Sequence, residues 1–372
     1  MSDLLRWLHD IGRYFLRTLD WPLLLALGAL MGVGLAVLYS AGGDTQGRHL
    51  LLAQGARFAV GLAAMWGLSR ITPSRLRAWT PGVFLASLLP LVLVLFIGSG
   101  KHGNHWIDLK VFYLQPSELM KITLPMMMAW YLHSQPLPPR IRTVLVSCVL
   151  IGVPTGLILL QPDFGTAMLV VASGVFALLL AGLPWWWVGV AVGGVAAAAP
   201  VAWIWLLRPY QKDRVLTFLN PETDPLGTGW NIIQSKIAIG GGGLTGKGWG
   251  QGSQSHLDYL PEHTTDFIFA VLSEEFGWIG VAVVLALYLF VVGRCLWIAM
   301  DARDTYSRLL AGSLGLAFFV YVIVNGGMIS GLLPVVGVPM PLLSYGGTSA
   351  VSLLAGLGLV MSVRAHRPVH GY

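Results

Sequence analysis

Apolar runs of nearly membrane-crossing length recur along the chain, at about 21–40, 50–69, 78–98, 115–133, 143–160, 165–182, 184–207, 267–298, 309–330 and 346–364. A helix needs roughly twenty such residues to cross a bilayer. The runs do not alternate polar and apolar positions, which excludes a membrane β-barrel, and helices are then the remaining way to satisfy backbone groups in lipid. The pattern predicts an all-α membrane protein, a ten-transmembrane-helix bundle that forms one polytopic domain over residues 1–372. The long polar interruption at 208–265 is expected to be a large extracellular or periplasmic loop between helices seven and eight. It carries Trp230, Ile232, Ile233, Ile237, Ile239, Leu244 and Trp249, enough apolar surface to fold onto the helix mouths. Arg6, Arg13 and Arg17 precede the first run as in a signal peptide, but that run is too long for one and reads as an uncleaved first span.

Composition agrees, with 55% hydrophobic and 11% charged residues and a mean hydropathy of +0.71. The net charge of +6 is scattered over short loops and forms no basic patch, so nucleic acid is not an expected partner. It sets topology instead. Arg6, Arg13, Arg17, Arg70, Arg75, Arg77, Arg140, Arg142, Arg294, Arg303, Arg308, Arg364 and Arg367 all fall on one side of the predicted bundle. By the positive-inside rule both termini are cytoplasmic. The six lysines (Lys101, Lys110, Lys121, Lys212, Lys236 and Lys247) lie outside or at the outer boundary. The chemistry is therefore expected to face outward from the cytoplasmic membrane. Cys148 and Cys295 sit inside apolar runs and imply no disulfide framework.

The stretch LDYLPEHTTDFIFAVLSEE (Leu257–Glu275) passes from a polar segment into an apolar helix at Asp266. Two readings stand there: a carboxylate capping the helix, or one held at the water–lipid boundary to take a proton. Other ionisable residues fall at membrane depth, where each costs about 2.5–3.5 kcal/mol to insert. Glu118 and Lys121 are three apart on one helix face, as a structural ion pair or a site. Asp163 is a candidate cap between helices five and six, Arg57 a candidate snorkelling residue, and one of Glu274 and Glu275 a candidate to face a polar cavity. Glu118, Lys121, Asp163 and Asp266 share the outer side, and one common cavity explains them more simply than four separate accidents.

No HExxH or paired-histidine spacing points to a metal cage, although Glu118, Asp163 and Asp266 could share a hard divalent cation such as Mg2+ or Mn2+. GGGLTGKG (Gly241–Gly248) nearly matches a phosphate-binding P-loop, but Gly248 stands where the hydroxyl residue belongs and no strand precedes it. Flexible backbone at the membrane surface is the plainer reading, with contact between Lys247 and a lipid-linked phosphate as the alternative.

Several motifs together resemble the SEDS family, and within it the RodA branch more than FtsW or SpoVE. They are QPSELMK (Gln115–Lys121), QPDFGT (Gln161–Thr166), YQKDRV (Tyr210–Val215), NPETDPLGTGWNIIQSKIAIGGGGLTGKGWGQGSQ (Asn220–Gln254), LPEHTTDF and GLLPVVGVPMPLLSYGG (Gly331–Gly347), and the similarity runs over nearly the whole chain. The resemblance implies a ten-helix fold and a glycosyltransferase that polymerises lipid II into an undecaprenyl-linked glycan chain. It implies that Asp266 is the catalytic residue and that Glu118, Lys121 and Asp163 support it, with Arg214, Lys236 and Ser344 as further substrate-binding candidates. It also implies a class B penicillin-binding protein transpeptidase as partner, with MreB, MreC and MreD in an elongation complex. This chain departs from the pattern at Thr264-Thr265, where His-Thr is usual and His263 is one place early, and at Met340 and Thr348, where Leu and Ser are usual.

The residues suit that chemistry. An acceptor sugar hydroxyl would attack the donor's anomeric carbon and displace a lipid pyrophosphate, with inversion. Pyrophosphate leaves readily, so the two carboxylates of a glycosidase are not needed. One base (Asp266) and a cationic clamp (Lys121, Arg214) suffice. The alternatives are a lipid II flippase, which needs access from both sides, and a scaffold for a partner enzyme, which leaves the buried charges unexplained.

Overall fold

The structure, a computed structural model, describes residues 19–99, 105–108, 110, 113–206, 209–223, 227–256, 259–260 and 262–366. Arg6, Arg13, Arg17, Lys101 and Arg367 of the topology argument lie outside the described residues. Helix α1 (Trp21–Ala41) begins where Asp20 accepts the amide of Leu23 at 3.0 Å and Pro22 occupies the first turn. There follow α2 (Gly43–Ser69), α3 (Pro73–Ile97), a two-residue antiparallel hairpin of β1 (Ile107–Asp108) and β2 (Tyr113–Leu114), α4 (Pro116–His133), α5 (Ile141–Leu160) and α6 (Phe164–Leu180). Helix α7 (Trp185–Val201) continues as a π-helical turn, Ala202–Leu206. Then come α8 (Pro209–Leu219), α9 (Thr228–Gly242), α10 (Ser253–His256), α11 (Ile268–Asp301), α12 (Thr305–Ile329) and α13 (Thr348–Ala365).

Among the described residues, eight helices are long and apolar enough to cross a membrane: α1, α2, α3, α5, α7 with its π turn, α11, α12 and α13. The chain is an all-α, multi-pass membrane protein. The other two expected spans fall short of that measure for visible reasons. Helix α4 carries Glu118 and Lys121, and α6 is cut to 17 residues by the Asp163 cap at its start. Helix α2 starts at Gly43, several residues before the apolar run, because the polar segment after α1 is helical too.

Helix α12 is the most buried of the spans and lies at the centre, against α11, α6 and α4. Hydroxyl pairs join neighbours within the bundle, Thr80 with Tyr306 at 3.0 Å and Ser87 with Thr123 at 3.0 Å. At one end of the bundle Asp20, almost fully buried, accepts a two-pronged bond from Arg294 of α11 (2.8 and 3.0 Å) and lies 3.7 Å from Arg364 of α13. Both guanidiniums rest on the ring of Trp297. Helix α7 is the opposite case: none of its residues is buried.

The expected continuous span at 267–298 is in fact broken. Gly277 has φ 63 and ψ −163, so α11 is a buried half-helix, Ile268–Phe276, followed by a full span. A break in a helix strands carbonyls before it and amides after it. The glycine-rich segment after α9 supplies the missing partners. Lys247 N donates to Glu274 O (2.9 Å) and Gly248 N to Glu275 O (3.0 Å), while Trp278 N reaches Gly243 O (2.9 Å) and Ile279 N reaches Leu244 O (3.1 Å). Gly246 has φ +81, and a Cβ there would lie 2.0 Å from the carbonyl oxygen of Glu275. The Glu274 carboxylate locks the joint, accepting from Lys247 Nζ (2.6 Å), Ser253 Oγ (2.9 Å), Ser253 N (3.0 Å) and Gln254 N (3.2 Å). The segment read as flexible surface backbone is thus a fitted splice. Lys247 is committed to a protein carboxylate.

Replacing Gly246 by Ala should lower stability by about 1–3 kcal/mol, the usual cost of a strained backbone position. Gly240→Ala, in helix α9 with open space around it, should change it by under about 1 kcal/mol and in the stabilising direction. Thermal melts of the two variants in detergent check the contrast.

Candidate active site

A cavity of about 820 Å³ opens between the start of α4, the start of α6, α8, the turn before α11 and the segment from Val336 to Ser349. Glu118, Lys121, Asp163, Arg214 and Asp266 all line it, drawn from four separate parts of the sequence. Two other expected residues do not. Lys236, exposed on α9, has its Cε where a Cβ on Gly331 would fall. Ser344 is buried and holds its own turn, its Oγ accepting from Met340 N at 2.8 Å. Glu274 and Glu275 lie outside the cavity as well. Glu274 anchors the splice, and Glu275 accepts from Ser40 Oγ.

Asp266 is not a helix cap. Helix α11 starts two residues later, Phe267 occupies the cap position, and no side chain caps it. The turn closes on Glu262, whose carbonyl accepts from Thr265 N (3.2 Å) and Phe267 N (3.1 Å). That leaves the Asp266 carboxyl half-buried against the cavity, with Oδ2 facing Gly337. Burial pushes its pKa up to about 6; the negative charge of Glu262 adds to the rise, and Arg214 opposes it. The main chain of Asp266 is fixed by Asn325 of α12, whose amide donates to Asp266 O (2.9 Å) and Val338 O (2.7 Å).

Glu118 and Lys121 form a buried ion pair at 2.6 Å, and the second Glu118 oxygen accepts from Ser352 Oγ of α13 at 2.7 Å. Asp163 does cap α6, accepting from Thr166 N (3.0 Å), and its other oxygen accepts from Gln115 (3.0 Å). Capping and lining the cavity are compatible here. The carboxylates do not make a metal cage: among the described residues no three His, Cys, Asp or Glu side chains gather closely enough to hold an ion. The oxygens of Glu118 and Asp163 are already engaged by Lys121, Ser352, Thr166 and Gln115. The expectation that Glu118, Asp163 and Asp266 share a divalent cation does not fit this arrangement.

Arg57 does not snorkel to the surface. Its guanidinium lies 4.1 Å from the ring centroid of Tyr345, donates to the Tyr345 hydroxyl (3.0 Å) and reaches Gln54 Oε1 (3.3 Å). Gln54 in turn bonds Ser344 O and Gly346 N, each at 3.3 Å. Tyr345 N donates to Thr264 O at 2.9 Å. Two polar residues of α2 thereby set one cavity wall and tie it to the Asp266 turn. Asn325, Gln54 and Tyr345 were missed by the sequence reading. Asn325 had the plainest signal, a lone amide inside the apolar run 309–330.

The family model described as "Cell cycle protein", covering FtsW, RodA and SpoVE, matches residues 15–368. The peptidoglycan glycosyltransferase MrdB of Escherichia coli K12 is 47% identical over 350 residues, 94% of each chain. The solved structure of the rod-shape-determining protein RodA of Thermus thermophilus matches with a TM-score of 0.71 at 30% identity, over 92% of this chain and 96% of that one. A chain of a peptidoglycan synthase complex, described as coordinating polymerization and crosslinking, matches with a TM-score of 0.82 at 33% identity, over 92% and 97%. With motifs, fold and cavity in agreement over almost its full length, the chain belongs to the FtsW, RodA and SpoVE family of cell cycle proteins, on its RodA and MrdB side.

Proposed function

We propose that this chain is a peptidoglycan glycosyltransferase that polymerises lipid II at the outer face of the bacterial cytoplasmic membrane. The observation that carries the reading is the cavity itself, which brings one half-buried carboxyl, Asp266, together with two cations, Lys121 and Arg214. The acceptor's sugar hydroxyl attacks the donor's anomeric carbon, Asp266 takes the hydroxyl proton, and the bond to the lipid pyrophosphate breaks. Lys121 and Arg214 stabilise charge on the departing pyrophosphate. An aspartate at its ordinary pKa is a weak base for an alcohol. The raised value of about 6 brings it nearer the working pH while leaving it ionised at neutrality.

The same reading takes α4 and α6 as the fourth and sixth spans of a ten-helix bundle, with 208–265 as an outer loop that includes α8, α9 and α10. Both are apolar helices packed against central α12, and an even number of crossings puts both termini in the cytoplasm. The cavity, the splice and the hairpin then share the outer side, and the arginine-bearing end around Asp20 faces inward. A transpeptidase that crosslinks the new strand is the proposed partner class, following the peptidoglycan synthase complex that the chain is similar to.

Asp266→Asn should lower the rate of lipid II polymerisation by about 10²–10⁴-fold. Its stability should not fall. A carboxyl whose folded-state pKa is raised stabilises the fold below its ordinary pKa of 3.8 and loses that contribution as pH rises through about 6. The neutral amide removes a penalty of at most about 3 kcal/mol at pH 7.5. Polymerisation assays beside thermal melts test both, and a variant that polymerises at the wild-type rate removes the base.

The pH–rate profile should rise with its limb near pH 6 and level off above it. Glu262→Gln should move that limb to lower pH and Arg214→Gln to higher pH, since the first removes a charge that raises the carboxyl and the second one that lowers it. A limb that stays put in both variants would assign it to another group.

Removing one partner of the Glu118–Lys121 pair strands a buried charge, at a cost of about 3–5 kcal/mol. The double variant Glu118→Gln, Lys121→Met should recover most of that stability and remain inactive, because the cation for the pyrophosphate is gone. Recovery of both in melts and lipid II assays would reduce the pair to a structural bridge.

A further inference from the structure

Lys121 has a third neighbour that the reaction scheme leaves unused. Tyr321, on α12, is 3% exposed, and its ring lies under the Lys121 ammonium, 5.0 Å from Nζ to the ring centroid. The Tyr321 hydroxyl is close enough to interact with the ammonium but makes no hydrogen bond of ordinary geometry. The contact with Lys121 that the geometry establishes is the one with the ring face. Lys121 also borders a second void of about 30 Å³, which it shares with Tyr321, Ser173 and Ser352 among apolar side chains. Such a void has room for at least one water molecule.

We propose that Tyr321 is a positioning residue for Lys121, its ring acting as a backstop that keeps the ammonium directed at the large cavity. A lysine side chain is long and flexible, and Glu118 alone fixes only one of its donors. When a pyrophosphate arrives, the ammonium has to turn part of its bonding from Glu118 to the phosphate oxygens. At that moment the ring face is the contact that persists, and the negative π face favours the cation without competing for its N–H donors. Without the ring, the void beside it becomes large enough for the ammonium to draw back between Ser173 and Ser352. The role would matter most as charge builds on the leaving pyrophosphate, so it should act on turnover more than on substrate capture. This inference rests on the reading of Lys121 as the pyrophosphate cation.

The test compares Tyr321→Phe, which keeps the ring, with Tyr321→Leu, which does not, in full-length protein. Two readouts serve. In lipid II polymerisation, Tyr321→Phe should stay within about twofold of wild type, whereas Tyr321→Leu should lose roughly tenfold in kcat with KM changed less than about threefold, in keeping with a desolvated cation–π contact. In thermal shift with inorganic pyrophosphate as the probe, wild type and Tyr321→Phe should be stabilised, and Tyr321→Leu should need roughly tenfold more pyrophosphate for the same shift. Should the leucine variant not fold, Tyr321→Met fills more of the space and carries the same expectations. A ringless variant with wild-type kcat and pyrophosphate response overturns the proposal, as does a phenylalanine variant as impaired as the leucine one. A wild-type protein that responds to pyrophosphate but does not polymerise lipid II would instead count against the proposed reaction, leaving the Lys121–Tyr321 contact supported.

Discussion

The break in α11 is the constraint on which the other features depend. A membrane helix cannot simply stop, because its free carbonyls and amides have no water to turn to. Here the four exposed peptide groups around Gly277 are satisfied by backbone from Gly243 to Gly248, and Glu274 locks the joint from within. Because the joint is satisfied, the half-helix Ile268–Phe276 can leave the line of the span below it and stay buried. Asp266 stands just ahead of that half-helix. A straight helix through this region would give the carboxyl a different position relative to α4 and α6. The glycine-rich segment thus serves the site from outside it, by making an otherwise forbidden backbone geometry stable.

Within the cavity, electrostatics are local. Four carboxylates (Glu118, Asp163, Asp213 and Asp266) and two cations (Lys121 and Arg214) line it. An anionic substrate is not drawn in by the average potential of such a surface. It has to be met at particular points, and the carboxylates have to be occupied elsewhere. Glu118 is held by Lys121 and Ser352, and Asp163 by Thr166 and Gln115. Asp266 is different, since its side chain neither caps its helix nor joins an ion pair among the described residues. Its raised pKa is the thermodynamic expression of that difference.

Much of this was legible in the sequence. Apolar runs of span length locate the helices, and charges at membrane depth identify the cavity residues, because both follow from the cost of burying the wrong group in lipid. What the sequence hid depends on backbone partners far apart in the chain. A run such as FIFAVLSEEFGWIGVAVV reads as one helix until Gly277 adopts positive φ, beside the closely approaching backbone of Leu244 and Gly246. Arg57 reads as a snorkelling residue because its partner, Tyr345, is 288 positions away. Lys236 and Ser344 stand in motif segments yet lie off the cavity, since neighbours in a motif need not face the same way. Asp266 looked like a cap for a simple reason: the hydrophobic pattern starts at Phe267, but the helix does not.

The Asp20 cluster bears on how such a chain is assembled. Asp20 caps α1, yet the side chains that neutralise it, Arg294 and Arg364, come from α11 and α13, far along the chain. The pairing joins α1, α11 and α13 in one charged cluster. The bundle is therefore fastened at that end by charge as well as by apolar packing, across helices that sequence order keeps apart.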